Sequence, residues 1–292
     1  MRRSSIPFEG SVITLESHGG EGAPVLAIHG LGGSAGNWSL VAPRITPFAN
    51  LTAIDLPGHG RSGPAPRHDL ATHARAVIDV IDRVAGRPVM LLGNSMGALV
   101  AELVASSNPA IVSSLVLLAP ATPRPRLIVP SAPAIAMRLA AQSLPGLGRL
   151  VTHQYLRRRT PRRQIEETMR LVMHDPARLP PAELERSVEL ARLRREMPWA
   201  ERAFAESSAS VRRMLLRTGR FRRTIASITT PTTVVFGSED RVVDPAAVRW
   251  LAELRPDWRV VELADTGHTP MWERPDVVAH EVARRLPGRA PS

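Results

Sequence analysis

Cysteine is absent from the 292-residue chain. That excludes a disulfide framework, a thiolate metal site and a cysteine nucleophile, and it suits a reducing compartment. Lysine is absent too, so all 38 basic residues are arginine. Selection for basicity alone would mix the two, so the exclusion of lysine reads as the codon bias of a GC-rich genome. Aromatic residues are scarce, with one Tyr and five Phe, which leaves little to stack on nucleic-acid bases. No apolar run approaches the roughly 20 residues of a membrane span. No apolar stretch of signal-peptide type follows Arg2-Arg3, so the first residues read as a short mobile leader. These absences predict a soluble, cytoplasmic protein.

What is present is enough for a substantial core, since 43% of residues are apolar. The length suits one large α/β domain with an insertion, or two small domains. The formal charge of +11 is localised. Residues 121–228 hold 22 Arg against 9 Asp or Glu, whereas the remainder holds 16 Arg against 18 acids.

The outer parts of the chain alternate strand and helix signals. Strands are predicted at Ser11–Leu15, Pro24–Ile28, Asn50–Ile54, Val89–Leu92, Ser114–Leu118, Thr232–Phe236 and Arg259–Leu263. A glycine-rich loop, Gly32–Asn37, leads into a short helix near Trp38–Ala42. Further helices are predicted over Leu70–Val84 (stopped by Gly86), Met96–Ala105, Pro245–Leu254 and Asp276–Leu286. Residues 121–228 break the pattern and read as proline-punctuated helices with arginine-rich faces. Repeated βα units give a mostly parallel sheet with helices on both faces. The expected architecture is therefore α/β, with a core from 1–120 and 229–292 and a helical, arginine-rich cap from 121–228. Ligands of such sheets bind at the strands' C-terminal ends, where every glycine-rich or polar turn noted here falls. The insertion is expected to cover that edge.

One of those turns carries chemistry. Gly93-Asn94-Ser95-Met96-Gly97 lies between a strand and a helix and fits Gly-x-Ser-x-Gly. A sharp strand-to-helix turn holds the serine in a strained conformation, and small residues two positions either side let neighbouring backbone pass close. The hydroxyl then stands at a helix N-terminus, where the dipole favours developing negative charge. A plain βα turn would need only the glycines.

At this point the chain resembles the α/β-hydrolase superfamily along nearly its whole length. Four motifs carry the resemblance in order: His29-Gly30-Leu31-Gly32, Asp55-Leu56-Pro57-Gly58-His59-Gly60-Arg61-Ser62, Gly93-Asn94-Ser95-Met96-Gly97, and Gly267-His268. The resemblance implies a catalytic triad in the order Ser, acid, His. Ser95 is the implied nucleophile. His268, in a loop that continues to Glu273-Arg274-Pro275, is the implied base. Asp240 in Gly237-Ser238-Glu239-Asp240 fits the acid best, with Glu239 and Asp244 as rivals. Some members place the acid one strand earlier, but Ala119-Pro120-Ala121-Thr122 offers no carboxylate there. The backbone N–H groups of Leu31 and Met96 are the implied oxyanion hole. His29 and His59 read as structural, and His73, His153 and His174 as packed or solvated.

The expected function is a serine hydrolase cleaving a carboxylic ester, with an aliphatic acyl part, through an acyl-enzyme on Ser95. No metal or organic cofactor is required. The expected partner is a small-molecule acyl substrate, with no nucleic acid and no transmembrane segment. The basic runs Arg157-Arg158-Arg159, Arg162-Arg163, Arg212-Arg213 and Arg222-Arg223 read first as solvated helix faces, and they leave room for weak association with anionic lipid. The apolar stretches Leu127–Val129, Ile135–Leu139 and Leu147–Val151 are expected to line an acyl pocket or to form core stripes of the insertion. Carbon–carbon hydrolases of ring-fission diketones share a similar serine turn, but they usually carry Trp where Thr269 stands. Cofactor-free haloperoxidase-like esterases are also similar. Epoxide hydrolases and haloalkane dehalogenases need Asp in place of Ser95. A ligand-binding protein that keeps the fold without turnover is the rival from another class.

Overall fold

Strand pairing dominates the architecture. The computed structural model describes residues 1–85, 88–123 and 159–286. Within them one eight-stranded sheet runs in the order β1-β2-β4-β3-β5-β6-β7-β8. Its strands are β1 (Arg2–Phe8), β2 (Ser11–Gly19), β3 (Ala23–Ile28), β4 (Ala49–Ile54), β5 (Val89–Asn94), β6 (Val112–Leu118), β7 (Thr232–Gly237) and β8 (Arg259–Leu263). From β4 across to β8 every pair is parallel, and β1 and β2 add antiparallel strands at one edge.

The first residues are not a mobile leader. Arg2–Phe8 pairs with β2 from Arg2 opposite Ser17 to Phe8 opposite Ser11. Arg3 faces Glu16 across the ladder, with Nη2 2.7 Å from Oε1. An edge strand has one neighbour and is largely exposed, so it needs no alternation of apolar residues. Backbone bonds hold it, and composition carries no sign of them.

The central strands are mostly apolar because helices cover both faces. Every residue of β5 and of β7 is buried. Period-two alternation divides their side chains between two cores. Leu26, Ile28 and Leu91 pack with α2 (Leu70–Val80), α3 (Met96–Ser107) and α8 (Pro245–Leu254). Val25, Ala27, Met90 and Leu92 pack on the other face with α1 (Ala42–Ile45) and α10 (Pro275–Arg285). Each such buried Val, Leu, Ile or Met side chain contributes roughly 1.5–3 kcal/mol. Local signals set the helix starts. Asp69 accepts from Thr72 N at 3.0 Å to cap α2, and Asp244 accepts from Ala246 N at 2.9 Å to cap α8. The helix predicted over Leu70–Val84 narrows to α2 followed by a wider turn, Ile81–Ala85. Gly86 lies outside the described residues.

Between β6 and β7 the described chain is helical: α4 (Pro161–Val172), α5 (Pro181–Glu196), α6 (Ala200–Leu216) and α7 (Thr218–Ala226). The remaining short helix, α9 (Pro270–Glu273), follows β8. Many insertion arginines meet carboxylates. Arg159 and Arg163 reach Glu167 at 3.0 and 3.2 Å, Arg202 reaches Glu206 at 2.7 Å, and Arg162 pairs with Glu185. Arg157, Arg158, His153 and the stretches Leu127–Val129, Ile135–Leu139 and Leu147–Val151 lie outside the described residues. Among the described residues no helix is long and apolar enough to cross a membrane.

One buried group works against the fold. Glu102 on α3 is 1% exposed, and neither carboxyl oxygen has a hydrogen-bond partner among the described residues. Burial pushes its pKa well above the ordinary 4.5. A raised folded-state pKa means that the stability tied to this group is full below about 4.5 and is lost as pH rises through the raised value. Replacing it with Met fills similar volume and removes the unpaired polar group. Glu102→Met is expected to gain about 1–3 kcal/mol in urea unfolding, with a larger gain at pH 8 than at pH 5.

Candidate active site

Ser95 occupies the single-residue turn between β5 and α3, with φ 54° and ψ −112°. A positive φ is unusual for a residue with a side chain and costs about 1–3 kcal/mol. Tight packing on both sides holds the turn. A Cβ on Gly93 would lie 2.6 Å from the Gly97 carbonyl oxygen, and one on Gly97 would lie 2.1 Å from that of Ile28. The Ser95 N–H donates to Leu118 O at 2.9 Å. Ser95 is half-buried while Asn94 and Met96 on either side are buried, so the turn presents this one side chain.

The loops after β7 and β8 bring Asp240 and His268 together. His268 Nδ1 lies 2.7 Å from Asp240 Oδ2, and the two side chains are 7% and 1% exposed. The other carboxylate oxygen accepts from Val242 N at 2.7 Å and Val243 N at 2.9 Å. Asp240 is thus an acceptor fixed by backbone, and the imidazole donates to it from Nδ1. The rival acids are engaged elsewhere. Asp244 caps α8, and Glu239 is exposed with its side chain beside Ser238. The histidine loop also meets the serine turn directly. Asn94, the residue before Ser95, donates from Nδ2 to the carbonyl oxygens of His268 and Leu118, each at 3.2 Å.

A third loop completes the site. Gly33 N donates to Gly30 O at 2.9 Å, closing a turn with Gly32 at φ 70°. That is the position of a type II turn which favours glycine. Leu31 N–H is not used to close the turn. Met96 is the first residue of α3, so its N–H has no acceptor within the helix. His29 buttresses the turn: Nδ1 donates to Gly30 O at 2.7 Å, and Nε2 accepts from Leu56 N at 3.1 Å. These partners define a neutral ring, and burial lowers its pKa to about 4. The His29, His59 and His73 rings follow one another at 5.6 and 5.5 Å. Burial chiefly lowers His59 and His73 as well. Asp55 ties neighbouring segments, accepting from Ala35 N at 2.6 Å and Arg61 N at 2.8 Å, and burial raises its pKa to about 6.

The insertion reaches these loops. Arg194 of α5 donates from Nη2 to Gly33 O at 2.6 Å. Burial lowers its pKa to about 10, with Asp55 acting in the opposite sense. The Phe204 ring of α6 lies against Gly32, and Ala203 against Gly58. At the end of α4, Val172 O accepts from His268 N at 2.7 Å. Asn94, Arg194 and Val172 were missed as site residues in the sequence. Asn94 is visible only as the variable position of the pentapeptide, and the other two act across long separations that no local motif marks.

The chain matches the alpha/beta hydrolase family over residues 25–281. It is 28% identical over 276 residues to a pimeloyl-[acyl-carrier protein] methyl ester esterase of Chromobacterium violaceum, covering 93% of this chain and 97% of that one. It is 27% identical over 271 residues to the dihydrolipoyllysine-residue acetyltransferase component of the acetoin cleaving system of Pseudomonas putida. That match covers 90% of this chain, which spans 64% of the relative's length. A meta-cleavage product hydrolase from Pseudomonas fluorescens superposes with a TM-score of 0.73 at 21% identity, covering 97% of this chain and 96% of that one. At that identity the likeness is one of fold.

Glu273 binds the histidine loop to the insertion. One carboxylate oxygen accepts from Gly267 N at 2.9 Å, and the other accepts from His174 N at 2.8 Å. Gly267 must be glycine, because a Cβ there would lie 2.6 Å from His174 N and 2.7 Å from Val172 O. Replacing Glu273 with Ala strands the buried Gly267 donor and the half-buried His174 donor. Glu273→Ala is expected to lower stability by about 1–3 kcal/mol or more. It should also speed amide exchange at Gly267 and His268 more than along β5, as NMR or mass spectrometry would register.

Proposed function

The chain belongs to the alpha/beta hydrolase family, and from that premise we propose that it is a serine hydrolase of carboxylic esters with an aliphatic acyl part. The observation that carries this reading is the buried 2.7 Å contact between His268 Nδ1 and Asp240, in a loop tied by Asn94 to the turn that presents Ser95. That combination would supply a nucleophile, a base whose second nitrogen is free among the described residues, and an acid that holds the base's orientation. Similarity to a methyl ester esterase supports the ester class.

In this reading His268 Nε2 takes the hydroxyl proton as Ser95 Oγ attacks the acyl carbon. The tetrahedral oxyanion is held by the N–H groups of Leu31 and Met96. His268 then protonates the departing alkoxide, leaving the acyl-enzyme. Water attacks next and gives its proton to His268, and collapse of the second intermediate releases the carboxylic acid and restores Ser95. Residues 1–120 and 229–292 form the catalytic core, and 121–228 act as a cap that selects the acyl group.

Hydrolysis of p-nitrophenyl esters of graded chain length tests the reading. Wild type is expected to turn over, with a chain-length optimum that sizes the acyl pocket. Ser95→Ala should lose on the order of 10⁴-fold or more in kcat, and Asp240→Asn about 10⁴-fold. Undiminished turnover by Ser95→Ala would remove the serine from its role. A wild type inert on every ester would put carbon–carbon hydrolysis of ring-fission diketones ahead, to be assayed next.

A further inference from the structure

Residues 207–238 hold six arginines and no Asp or Glu. Five of them, Arg213, Arg217, Arg220, Arg222 and Arg223, are exposed where α6 ends and α7 begins. Elsewhere in the insertion arginines are matched by acids, as Arg163 is by Glu167, Arg192 by Glu189 and Arg202 by Glu206. A general bias toward arginine does not separate the two regions. At this corner none of the five arginines pairs with a carboxylate among the described residues. The stretches 86–87, 124–158 and 287–292, which lie outside them, contain no Asp or Glu to supply one. Asp257, near the end of α7, is taken by Arg255 at 2.8 Å. The charge of the corner is therefore uncompensated. Leu216 stands among these arginines and is 71% exposed.

We propose that this corner of α6 and α7 docks the protein on an anionic bilayer surface, with Leu216 entering the headgroup layer between the arginines. Charge complementarity favours that occupant over an acidic protein. Protein interfaces centre on a packed apolar and aromatic core, and the large exposed apolar side chain at this corner is Leu216 alone among the described residues, with the Trp250 ring half-buried beneath Arg222. A bilayer needs no such core. Near an anionic surface each arginine strengthens binding about five-fold, from roughly 1 kcal/mol per residue. The geometry also connects the corner to the site. At its other end α6 lays Ala203 and Phe204 on Gly58 and Gly32. From Phe204 to Leu216 the helix spans about 18 Å at about 1.5 Å per residue. Docking would thus fix the distance of the serine loop from the surface. The inference stands apart from the ester reading, because it requires no turnover.

Cosedimentation tests it, using vesicles of equimolar phosphatidylglycerol and phosphatidylcholine beside vesicles of phosphatidylcholine alone. Wild type should bind the anionic vesicles at about 0.1 M NaCl and be released at about 1 M, where the Debye length falls from about 10 to about 3 Å. The combined variant Arg213→Gln, Arg217→Gln, Arg220→Gln, Arg223→Gln should bind several hundred-fold more weakly, at about five-fold per arginine. Its melting temperature should stay near that of wild type, because all four side chains are exposed. Leu216→Ser should weaken vesicle binding several-fold. Absence of binding to anionic vesicles, or equal binding by the combined variant, would overturn the proposal. So would vesicle binding that Leu216→Ser leaves unchanged and that soluble polyglutamate displaces, which would assign the corner to an acidic protein.

Discussion

The whole site hangs on the backbone of one residue. Ser95 at φ 54° lies outside the conformations that side chains favour. It stays there because β5 and α3 approach so closely that only glycine fits at 93 and 97. The contact at Gly97 is with the carbonyl of Ile28, the last residue of β3. The strain at the serine and the placement of the Gly30–Gly33 turn are therefore two results of one packing event. The central strands supply the rigidity this requires, since β5 is buried along its length and flanked by parallel neighbours. A cleft in a softer sheet would let the turn relax and the hydroxyl withdraw.

Much of this was legible in the sequence, for identifiable reasons. Buried parallel strands announce themselves as short apolar runs, so β3, β4, β5, β6 and β7 fall close to where those runs lie. Helices with a side-chain start signal, such as Asp244 before Pro245, begin where expected. The edge strand Arg2–Phe8 was illegible because its stability lies in backbone pairing to β2, while its side chains face solvent. For a related reason the sequence favours Asp240 as the acid but keeps Glu239 and Asp244 as rivals. All three sit in one short polar loop, and Asp240 is set apart by its contact with His268 Nδ1 and by the backbone donors of Val242 and Val243.

Histidine illustrates a different limit. Composition counts nine of them without telling which are charged. Burial and hydrogen bonding separate them. His29 gives its two nitrogens to Gly30 O and Leu56 N, an arrangement open only to the neutral ring. His68 sits 2.9 Å from Glu206 of the insertion, and His73 lies 2.9 Å from Ser207 of the same helix. Burial thus favours the neutral ring at His29, His59 and His73, where an ionised one would be costly, and His73 braces α2 against α6.

These contacts bear on how the insertion can move. A lid that swung as one body would have to break the bonds from Arg194 to Gly33 O, from His268 N to Val172 O, and from His174 N to Glu273. It would also break those from Arg178 to Asp265 O and from Arg241 to Arg170 O. The last two bonds are exposed and water replaces them at little cost, but each of the first three would cost about 1–3 kcal/mol wherever its groups stayed buried and unpaired, which opposes wholesale opening. The ends of α4 and α5 are better regarded as fixed posts of the candidate site, one steadying the histidine loop and the other the Gly30–Gly33 turn. Any admission of substrate must then occur without displacing them. On this argument the described helices of the insertion help to hold the loops of Ser95, Asp240 and His268 in register, and their packing and the geometry of those loops are under one constraint.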